Sequence, residues 1–316
     1  MIFLLLDNNL HTYMKNRSLV SINDYSKEEM LHILELAKAF EANPRQKILK
    51  DFVIASLFFE PSTRTRLSFE SAINQLGGRV IGFSDSSSSS TSKGESLRDT
   101  IQTVSLYSDL IVMRHPLEGS ARFASEIAPV PIINAGDGAN QHPTQCLLDM
   151  YSIMKTQGTL DNLDIAFVGD LKFGRTVHSL VIALSLFKNT NFHLVSPVEL
   201  KLPSSIKKFI VDAGLKYHQY TDIQEVINKV DILYMTRIQR ERFSDAMEYE
   251  RVKNSYVLKA DMLSNTKEKL KILHPLPRVN EITEDVDSNK KAYYFQQAKN
   301  GVFVREALLA SILGVI

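Results

Sequence analysis

The fold of this chain is constrained most by a regular alternation of short apolar runs and longer segments with helical periodicity. In the clearest case an apolar run at 53–59 is followed by apolar residues at mostly helical spacing over 63–77. The same order recurs along the chain as far as 273. Because parallel strands must be joined by crossover connections, usually helices, the alternation predicts parallel sheets with helical crossovers.

The periodicity predicts nine helices and nine strands. In chain order, helices are predicted at 26–40, 63–76, 95–107, 120–127, 144–155, 175–187, 204–213, 223–229 and 301–314. Strands are predicted at 53–59, 79–83, 110–113, 131–133, 164–168, 192–195, 215–220, 231–235 and 270–273. A capping box at 26–29, with Ser26 followed by Glu29, marks the start of the first helix.

The length of 316 residues exceeds what one hydrophobic core usually serves, so two domains are expected. The composition loosens at 156–159, where the alternation restarts. We predict the α/β fold class, with two doubly wound parallel-sheet domains that carry helices on both faces. The first would span 1–145 and be completed by a C-terminal helix at 298–316, and the second would span 146–297. Ligands are expected in the cleft between them, at the carboxyl ends of the strands.

Composition and charge exclude several classes of protein. The chain has 37 Lys and Arg against 36 Asp and Glu, a formal charge of +1. This balance gives no support to binding of nucleic acid or of a membrane surface, which needs clustered basic charge. The single cysteine, Cys146, excludes an intrachain disulfide and a multi-cysteine metal site, which fits a reduced, cytoplasmic setting. The apolar opening at 1–6 is too short for a signal peptide or a membrane span.

The sequence Ser-Thr-Arg-Thr-Arg at 62–66 stands between a predicted strand and a predicted helix. Backbone N–H groups and the helix dipole favour an anion at a helix start. Hydroxyl groups and arginine side chains add donors that suit phosphate. The motif therefore predicts a phosphate-binding site.

Further polar groups follow other predicted strands. They occur at 113–116, 134–145, 169–176, 236–239 and 274–278. Taken singly, an arginine in such a place is more often a surface ion-pair residue, and a histidine near a helix start is more often structural. Taken together, the groups are cationic and hydrogen-bonding without an evident nucleophile–base pair. That set suits direct attack by a bound amine on an acyl phosphate, with catalysis by positioning and oxyanion stabilisation.

Other site types are disfavoured by spacing. The turn at 169–174 lacks the G-x-G-x-x-G pattern of a dinucleotide site, no P-loop motif is present, and the histidines show no metal-ligand spacing. The serine-rich segment at 84–94 favours a solvated loop by composition alone. Its place after a strand, and Lys93 at its end, also allow a mobile cation that closes over an anionic substrate.

The motifs at 62–66, 113–116 and 142–145 together resemble those of the carbamoyltransferase family. Those at 174–176, 231–239 and 274–278 resemble the members that use aspartate. Members that use ornithine are expected to carry His-Cys-Leu-Pro where this chain has His-Pro-Leu-Pro, at 274–277. The resemblance extends from about residue 18 to the C-terminus.

The resemblance implies transfer of a carbamoyl group from carbamoyl phosphate to L-aspartate in pyrimidine biosynthesis, without a cofactor or a metal. The residues implied for catalysis are Thr65, Lys93, Arg114 and His142. Those implied for carbamoyl phosphate are Ser62, Thr63, Arg64, Thr65, Arg114, His142, Gln145, Leu276 and Pro277. Those implied for L-aspartate are Lys93, Arg175, Arg237 and Gln239.

The resemblance also implies a homotrimer with shared active sites. The serine-rich loop would reach a neighbouring subunit and supply Lys93 together with Ser88, Ser89 or Ser90, of which the spacing from Lys93 favours Ser89. Domain closure would use ion pairs of Glu60 with Arg175 and Arg242, and of Lys172 with Glu248. A separate regulatory chain fits the resemblance, although no residue specifies one.

Three alternatives remain at this stage. The chain could use another amine such as ornithine, act as a non-catalytic homologue that serves as a scaffold, or be a dinucleotide oxidoreductase. A scaffold is disfavoured because no member of the phosphate and carboxylate sets is missing. The resemblance implies that the first domain binds carbamoyl phosphate and the second binds aspartate.

Overall fold

The computed structural model describes residues 14–85, 93–240, 243 and 245–316, and the chain divides into two compact units. One unit ends at Tyr151 and is completed by Lys299–Ile316, and the other spans Ser152–Ala298. Each unit is built on one parallel sheet, so the predicted fold class is confirmed.

The first unit contains a four-stranded sheet in the order β2-β1-β3-β4, with every neighbouring pair parallel. Its strands are β1 Val53–Phe58, β2 Arg79–Phe83, β3 Leu110–His115 and β4 Ile132–Asp137. Its helices are α1 Lys27–Ala42, α2 Thr63–Gln75, α3 Leu97–Ser105, α4 Ser120–Ile127 and the beginning of α5 Pro143–Gln157.

The second unit contains a five-stranded parallel sheet in the order β7-β6-β5-β8-β9. Its strands are β5 Asp164–Val168, β6 Asn191–Val195, β7 Lys216–Tyr220, β8 Ile232–Met235 and β9 Lys271–Leu273. Its helices are α6 Arg175–Leu184, α7 Ser204–Asp212 and α8 Ala246–Val252. The last helix, α9 Tyr294–Ile312, begins in this unit and continues into Lys299–Ile316.

The first helix forms where the capping box predicts it. The Ser26 hydroxyl accepts the Glu29 N–H at 3.2 Å, and the Glu29 carboxylate accepts the Ser26 N–H at 2.7 Å. These bonds satisfy two of the backbone donors that a helix start leaves unpaired.

Burial differs sharply between strands. The central strands β1, β3, β5 and β8 and the edge strand β4 are buried along nearly their whole length, whereas the edge strands β2 and β7 have no buried residue. Strands covered by helices on both faces read as continuous apolar runs, which is why the central strands were evident in the sequence. No helix within the described part of the chain is long and apolar enough to cross a membrane.

Two helix predictions were wrong in detail, and one helix was not predicted. The segment predicted at 223–229 forms only a 3₁₀ turn, Ile223–Glu225, because Val226 leaves helical geometry at φ −125° and packs with Ile227 in the core. The last helix begins at Tyr294, seven residues before the predicted start. Helix α8, Ala246–Val252, was not predicted because its seven residues bury only Val252 and so carry no apolar stripe.

Asp231 joins the start of β8 to neighbouring elements of the second unit. Its carboxylate accepts the Asp164 N–H at 3.0 Å and pairs with the Lys267 ammonium at 3.0 Å and the Lys269 ammonium at 3.1 Å. Burial by itself raises the pKa of Asp231, but these hydrogen bonds outweigh burial and leave the pKa below its usual value.

We expect Asp231→Asn to lower the free energy of unfolding at pH 7 by about 1–3 kcal/mol, because a buried charged acceptor is lost. A carboxyl group with a depressed pKa stabilises the fold above its unfolded-state pKa, and this stabilisation is lost as the pH falls through the folded-state pKa. The difference in free energy of unfolding between wild type and Asp231→Asn should therefore shrink as the pH falls. Urea unfolding at several pH values measures it.

The matched control is Asp212→Asn, which removes an exposed carboxylate paired with Lys208 at 2.8 Å on the same unit. Exposed pairs of this kind contribute about 0–1 kcal/mol. Equal urea midpoints for the two variants at pH 7 would show that Asp231 is not a structural anchor.

Candidate active site

In the first unit, three adjacent strands end at the same edge of the sheet. Phe58 at the end of β1 pairs with Arg114 of β3, and Met113 of β3 pairs with Asn134 of β4. The polar segments that follow these strands are therefore neighbours, as parallel pairing predicts.

The phosphate motif forms the start of α2, with Ser62 at the N-cap. Ser62 has extended geometry (φ −156°, ψ 93°), but within the described residues no side chain caps this helix. In contrast, Ser26 caps α1 and Ser96 caps α3 through their hydroxyls. An uncapped helix start that carries a serine hydroxyl is suited to bind an anion.

The remaining members of the motif differ in exposure. Thr63 and Arg64 are exposed, and Thr65 is buried. Arg66 pairs with Glu70 at 3.3 Å and lines a cavity of about 530 Å³ with Ser56 and residues 80–84. Arg66 thus contacts an acidic group of its own helix, and its guanidinium is partly neutralised before any ligand arrives.

Arg114 lies beside the α2 start and is held from two sides. One of its terminal nitrogens lies 2.6 Å from the carboxylate of Glu60, and the other donates to the carbonyl of Ala135 at 3.4 Å. The Arg114 side chain is 14% exposed, so the pair is only weakly screened by water. The resulting cation is fixed in place at the edge where β1, β3 and β4 end.

His142 and Gln145 belong to the loop and helix that follow β4. Both side chains are buried, and the Gln145 amide donates to Asp149 at 2.8 Å within α5. His142 precedes the first residue of α5. The structure thus brings the 62–65 segment, Arg114 and this pair to one edge of one sheet.

Asp137 organises the loop that leads to His142, and it was not among the predicted site residues. Its fully buried carboxylate accepts hydrogen bonds from Asn134, Asn140 and the Gln141 and Gly119 N–H groups, at 2.9–3.1 Å. An aspartate flanked by glycines at the end of a buried strand is the signal that could have identified it.

In the second unit, the segments after β5 and β8 are held against each other. Val168 pairs with Met235 at the ends of these strands. The Thr236 hydroxyl accepts the Asp170 N–H at 3.0 Å. A Cβ on Gly169, which has φ +119°, would collide with the Thr236 carbonyl. Glycine is therefore required where the two loops approach.

Asp170 bridges the same two loops and was also missed. Its carboxylate accepts the Phe173 N–H at 2.9 Å and lies 3.5 Å from the Gln239 N–H. Complete burial raises the pKa of Asp170, and the backbone hydrogen bonds only partly oppose that effect. Asp170 therefore fixes the loops that carry Arg175 and Arg237.

Arg175, Arg237 and Gln239 all occupy these loops. Arg175 is the first residue of α6, and all three side chains are partly buried. The Gln239 amide donates to the Phe173 carbonyl at 3.1 Å. Two guanidinium groups on adjacent loops are suited to bind a ligand with two carboxylates.

Leu276 and Pro277 follow β9, which neighbours β8. Leu276 is partly buried and has φ +57°, and its peptide bond to Pro277 is cis. Pro277 is exposed. The second unit therefore places these residues next to the loop of Arg237.

The remaining predicted residues stand apart or cannot be placed. Lys93 is exposed, and no hydrogen bond or ion pair joins it to another described residue. Ser88, Ser89, Ser90 and Arg242 lie outside the described residues. The Lys172 ammonium lies 5.0 Å from the centre of the Phe173 ring, and the predicted pair with Glu248 is not formed among the described residues. The pairing of Glu60 with Arg175 stays a prediction.

Over 14–85, 93–240, 243 and 245–316, no group of three or more His, Cys, Asp or Glu side chains could hold a metal ion. The groups described above are mainly amides, hydroxyls and guanidinium groups. Such groups bind anions rather than cations.

The fold and these two groups of residues define an α/β protein with a phosphate-type site in one unit and a carboxylate-type site in the other. Residues 17–155 match the family model "Aspartate/ornithine carbamoyltransferase, carbamoyl-P binding domain". Residues 161–312 match "Aspartate/ornithine carbamoyltransferase, Asp/Orn binding domain". The chain belongs to the aspartate/ornithine carbamoyltransferase family.

Relatives and solved structures agree. The chain is 63% identical to the aspartate carbamoyltransferase catalytic subunit of Bacteroides fragilis, covering 96% of this chain and 98% of that protein. It is 64% identical to the protein of the same name from Parabacteroides distasonis, covering 96% and 99%. The aspartate transcarbamoylase of Trypanosoma cruzi, in complex with N-(phosphonacetyl)-L-aspartic acid, superposes with a TM-score of 0.89 at 38% identity, covering 95% and 97%.

We expect Ser62→Ala to leave stability nearly unchanged, because the Ser62 hydroxyl does not cap α2. The control Ser26→Ala removes a working cap and should cost about 1 kcal/mol. Urea unfolding distinguishes the two variants. In a calorimetric titration, Ser62→Ala should bind inorganic phosphate more weakly than wild type does. Ser26→Ala should bind it as wild type does. Equal stability losses in both variants, with phosphate affinity unaltered, would contradict the assignment of Ser62 to a ligand.

Proposed function

We propose that this chain transfers the carbamoyl group of carbamoyl phosphate to the amine of L-aspartate, a step of pyrimidine biosynthesis. The neutral amine attacks the carbonyl carbon, a C–N bond forms, and the C–O bond to phosphate breaks. The products are N-carbamoyl-L-aspartate and phosphate. The departing phosphate takes the proton that the amine loses, so that no protein base is required.

The first unit serves carbamoyl phosphate. Ser62, Thr63 and Arg64 hold the phosphate with the N–H groups at the start of α2. Thr65, Arg114 and His142 polarise the carbonyl group and stabilise the oxyanion that forms on attack. Gln145, with Leu276 and Pro277 of the second unit, orients the carbamoyl amino group. The single observation that carries this assignment is the uncapped α2 start beside the fixed cation of Arg114.

Glu60 balances the charge of Arg114. A dianionic phosphate group would compete with the Glu60 carboxylate for the same guanidinium, which lies 2.6 Å from it. Binding therefore exchanges one anionic partner of Arg114 for another rather than creating a new ion pair. Such an exchange avoids burying an uncompensated positive charge before the substrate arrives.

The second unit serves L-aspartate. Arg175 and Arg237 each bind one carboxylate, and Gln239 supports Arg237. Because a guanidinium presents two parallel N–H donors, it fixes the orientation of a carboxylate as well as attracting it. Asp170 supports both loops through its hydrogen bonds to Phe173 and Gln239.

The alternatives left open by the sequence are disfavoured. The family model covers enzymes for aspartate and for ornithine, but the two relatives described above are named for aspartate. Two arginines suit a second carboxylate, whereas the side-chain ammonium of ornithine would be repelled. A scaffold role has no observation in its favour, because the predicted ligand set is complete.

We expect Arg237→Ala to lower kcat/KM for L-aspartate by about two decades or more, since a charge-assisted pair of a few kcal/mol is lost. The affinity for carbamoyl phosphate should change little. Steady-state assays with varied aspartate, and binding assays with carbamoyl phosphate, measure the two effects. Wild type should use aspartate and not ornithine.

The control for this variant is Arg240→Ala, which removes an exposed arginine three residues further along the same loop. It should retain wild-type kinetics. Unchanged aspartate kinetics in Arg237→Ala would show that the carboxylates bind elsewhere, and turnover of ornithine in preference to aspartate by wild type would overturn the substrate assignment.

The active form is a homotrimer in which each site takes Lys93 and Ser89 from a neighbouring subunit. The exposed Lys93, without an ion-pair partner among the described residues, is consistent with such a role. Lys93 would then act in catalysis and help to bind L-aspartate.

Mixing two inactive variants tests the shared site. Lys93→Ala and Arg114→Ala should each be nearly inactive. After the subunits are mixed at equal amounts and allowed to exchange, random assembly of trimers restores about a quarter of the sites. Activity should recover to about that fraction, and sedimentation should show trimers.

A mixture of Thr65→Ala and Arg114→Ala is the matched control. Each site takes both of these residues from one subunit, so every site in the mixture keeps one of the two defects. This mixture should show no recovery. Recovery in neither mixture would exclude a shared site, even if the chain is trimeric.

Three further properties belong to the same proposal. The first domain, 1–145 with 298–316, binds carbamoyl phosphate, and the second, 146–297, binds aspartate. The enzyme acts in the cytoplasm without a cofactor. Sedimentation of the purified chain with the products of neighbouring genes tests whether a separate regulatory chain associates with the trimer.

A further inference from the structure

The loop after β9 has a backbone conformation that needs support. Leu276 has φ +57°, in the left-handed region. For a residue with a Cβ this region is unfavourable, and such residues persist only where neighbouring contacts hold them. The contacts that hold Leu276 therefore also set the direction of its carbonyl group.

His274 supplies one of these contacts through its side chain. The Leu276 N–H donates to Nδ1 of His274 at 2.8 Å, and Nε2 of the same ring lies 2.7 Å from Oε1 of Glu281. Only a neutral ring with its hydrogen on Nε2 makes both bonds, because Nδ1 must accept while Nε2 donates. His274 and Glu281 are 1% and 5% exposed, so water does not compete for these atoms.

Glu281 closes the loop from its other end. Its second oxygen, Oε2, accepts the N–H groups of Val279 at 3.0 Å and Asn280 at 3.1 Å. The side-chain oxygen of Gln297 in α9 accepts the backbone N–H of His274 at 2.8 Å. Both carboxylate oxygens and both ring nitrogens are thus used to fix the segment 274–281.

We propose that His274 is a positioning residue that selects for the amino group of the carbamoyl substrate, with Glu281 setting its tautomer. By holding the peptide plane that enters Leu276, His274 keeps the Leu276 carbonyl where it accepts a hydrogen bond from that amino group. This inference rests on the proposed function, which assigns the Leu276 carbonyl to the carbamoyl group. His274 itself touches no reacting atom.

The consequence is discrimination between acyl phosphates of the same size. Acetyl phosphate has a methyl group where carbamoyl phosphate has an NH₂ donor. A correctly placed carbonyl gains a hydrogen bond with carbamoyl phosphate and is left unpaired beside acetyl phosphate. A loosely held carbonyl can turn away and lose most of this preference.

Two substitutions separate the bonds of His274. His274→Asn places an amide oxygen near the position of Nδ1, so it retains an acceptor for the Leu276 N–H and loses the contact with Glu281. His274→Gln places an amide nitrogen near the position of Nε2, so it retains the contact with Glu281 and loses the acceptor. Both variants lack the imidazole ring, so each controls for the effect of its loss on packing in the other.

The experiment measures dissociation constants of carbamoyl phosphate, acetyl phosphate and inorganic phosphate for wild type and both variants. One hydrogen bond of this kind predicts that wild type prefers carbamoyl over acetyl phosphate by about tenfold. His274→Asn should keep most of this preference, and His274→Gln should lose most of it. Inorganic phosphate should bind all three proteins equally. A purely structural role would lower stability without changing the preference.

Titration with N-(phosphonacetyl)-L-aspartic acid counts the competent sites in each preparation. If neither His274 variant folds, Glu281→Gln carries the test, because it leaves the ring in place and no longer enforces the Nε2–H tautomer. It should also reduce the preference. An unchanged preference in His274→Gln, or in Glu281→Gln where that variant is used, would overturn the inference. Failure of wild type to bind carbamoyl phosphate would instead overturn the proposed function.

Discussion

The structure depends on one constraint, which is that parallel strands place the ends of several non-consecutive segments at one edge of a sheet. In the first unit this brings the uncapped start of α2 next to Arg114, and in the second it brings the loop of Arg175 next to that of Arg237. Both places concentrate fixed positive charge and N–H donors. A phosphate and a dicarboxylate amine are the ligands that such places stabilise.

Buried carboxylates hold these loops in position. Asp137 organises the segment before His142, and Asp170 joins the two loops that carry arginines. Glu281 does the same for the loop of Leu276. Each carboxylate accepts backbone N–H groups that a buried loop would otherwise leave unpaired. The cationic groups can therefore be rigid before a ligand binds, which electrostatic catalysis requires.

The sequence predicted the sheets, most helices and the cationic residues, because apolar periodicity and strand-end motifs are local signals. It did not predict α8, which buries only Val252, or the early end of the turn Ile223–Glu225, where Val226 leaves helical geometry and packs in the core. It also did not predict that Glu60 contacts Arg114, or that Asp170 bridges two loops. These contacts join residues far apart in the chain, and nothing in the local pattern specifies the partner. Similarly, Leu276 carries no sequence signal for a positive φ.

The most direct measurement is a crystal structure of this chain with N-(phosphonacetyl)-L-aspartic acid, which joins a phosphonate to an aspartate. The account predicts that the phosphonate lies at the start of α2, in contact with Ser62, Thr63 and Arg114. It predicts that the two carboxylates lie against Arg175 and Arg237. A phosphonate bound away from the α2 start, or carboxylates that touch neither arginine, would contradict the account.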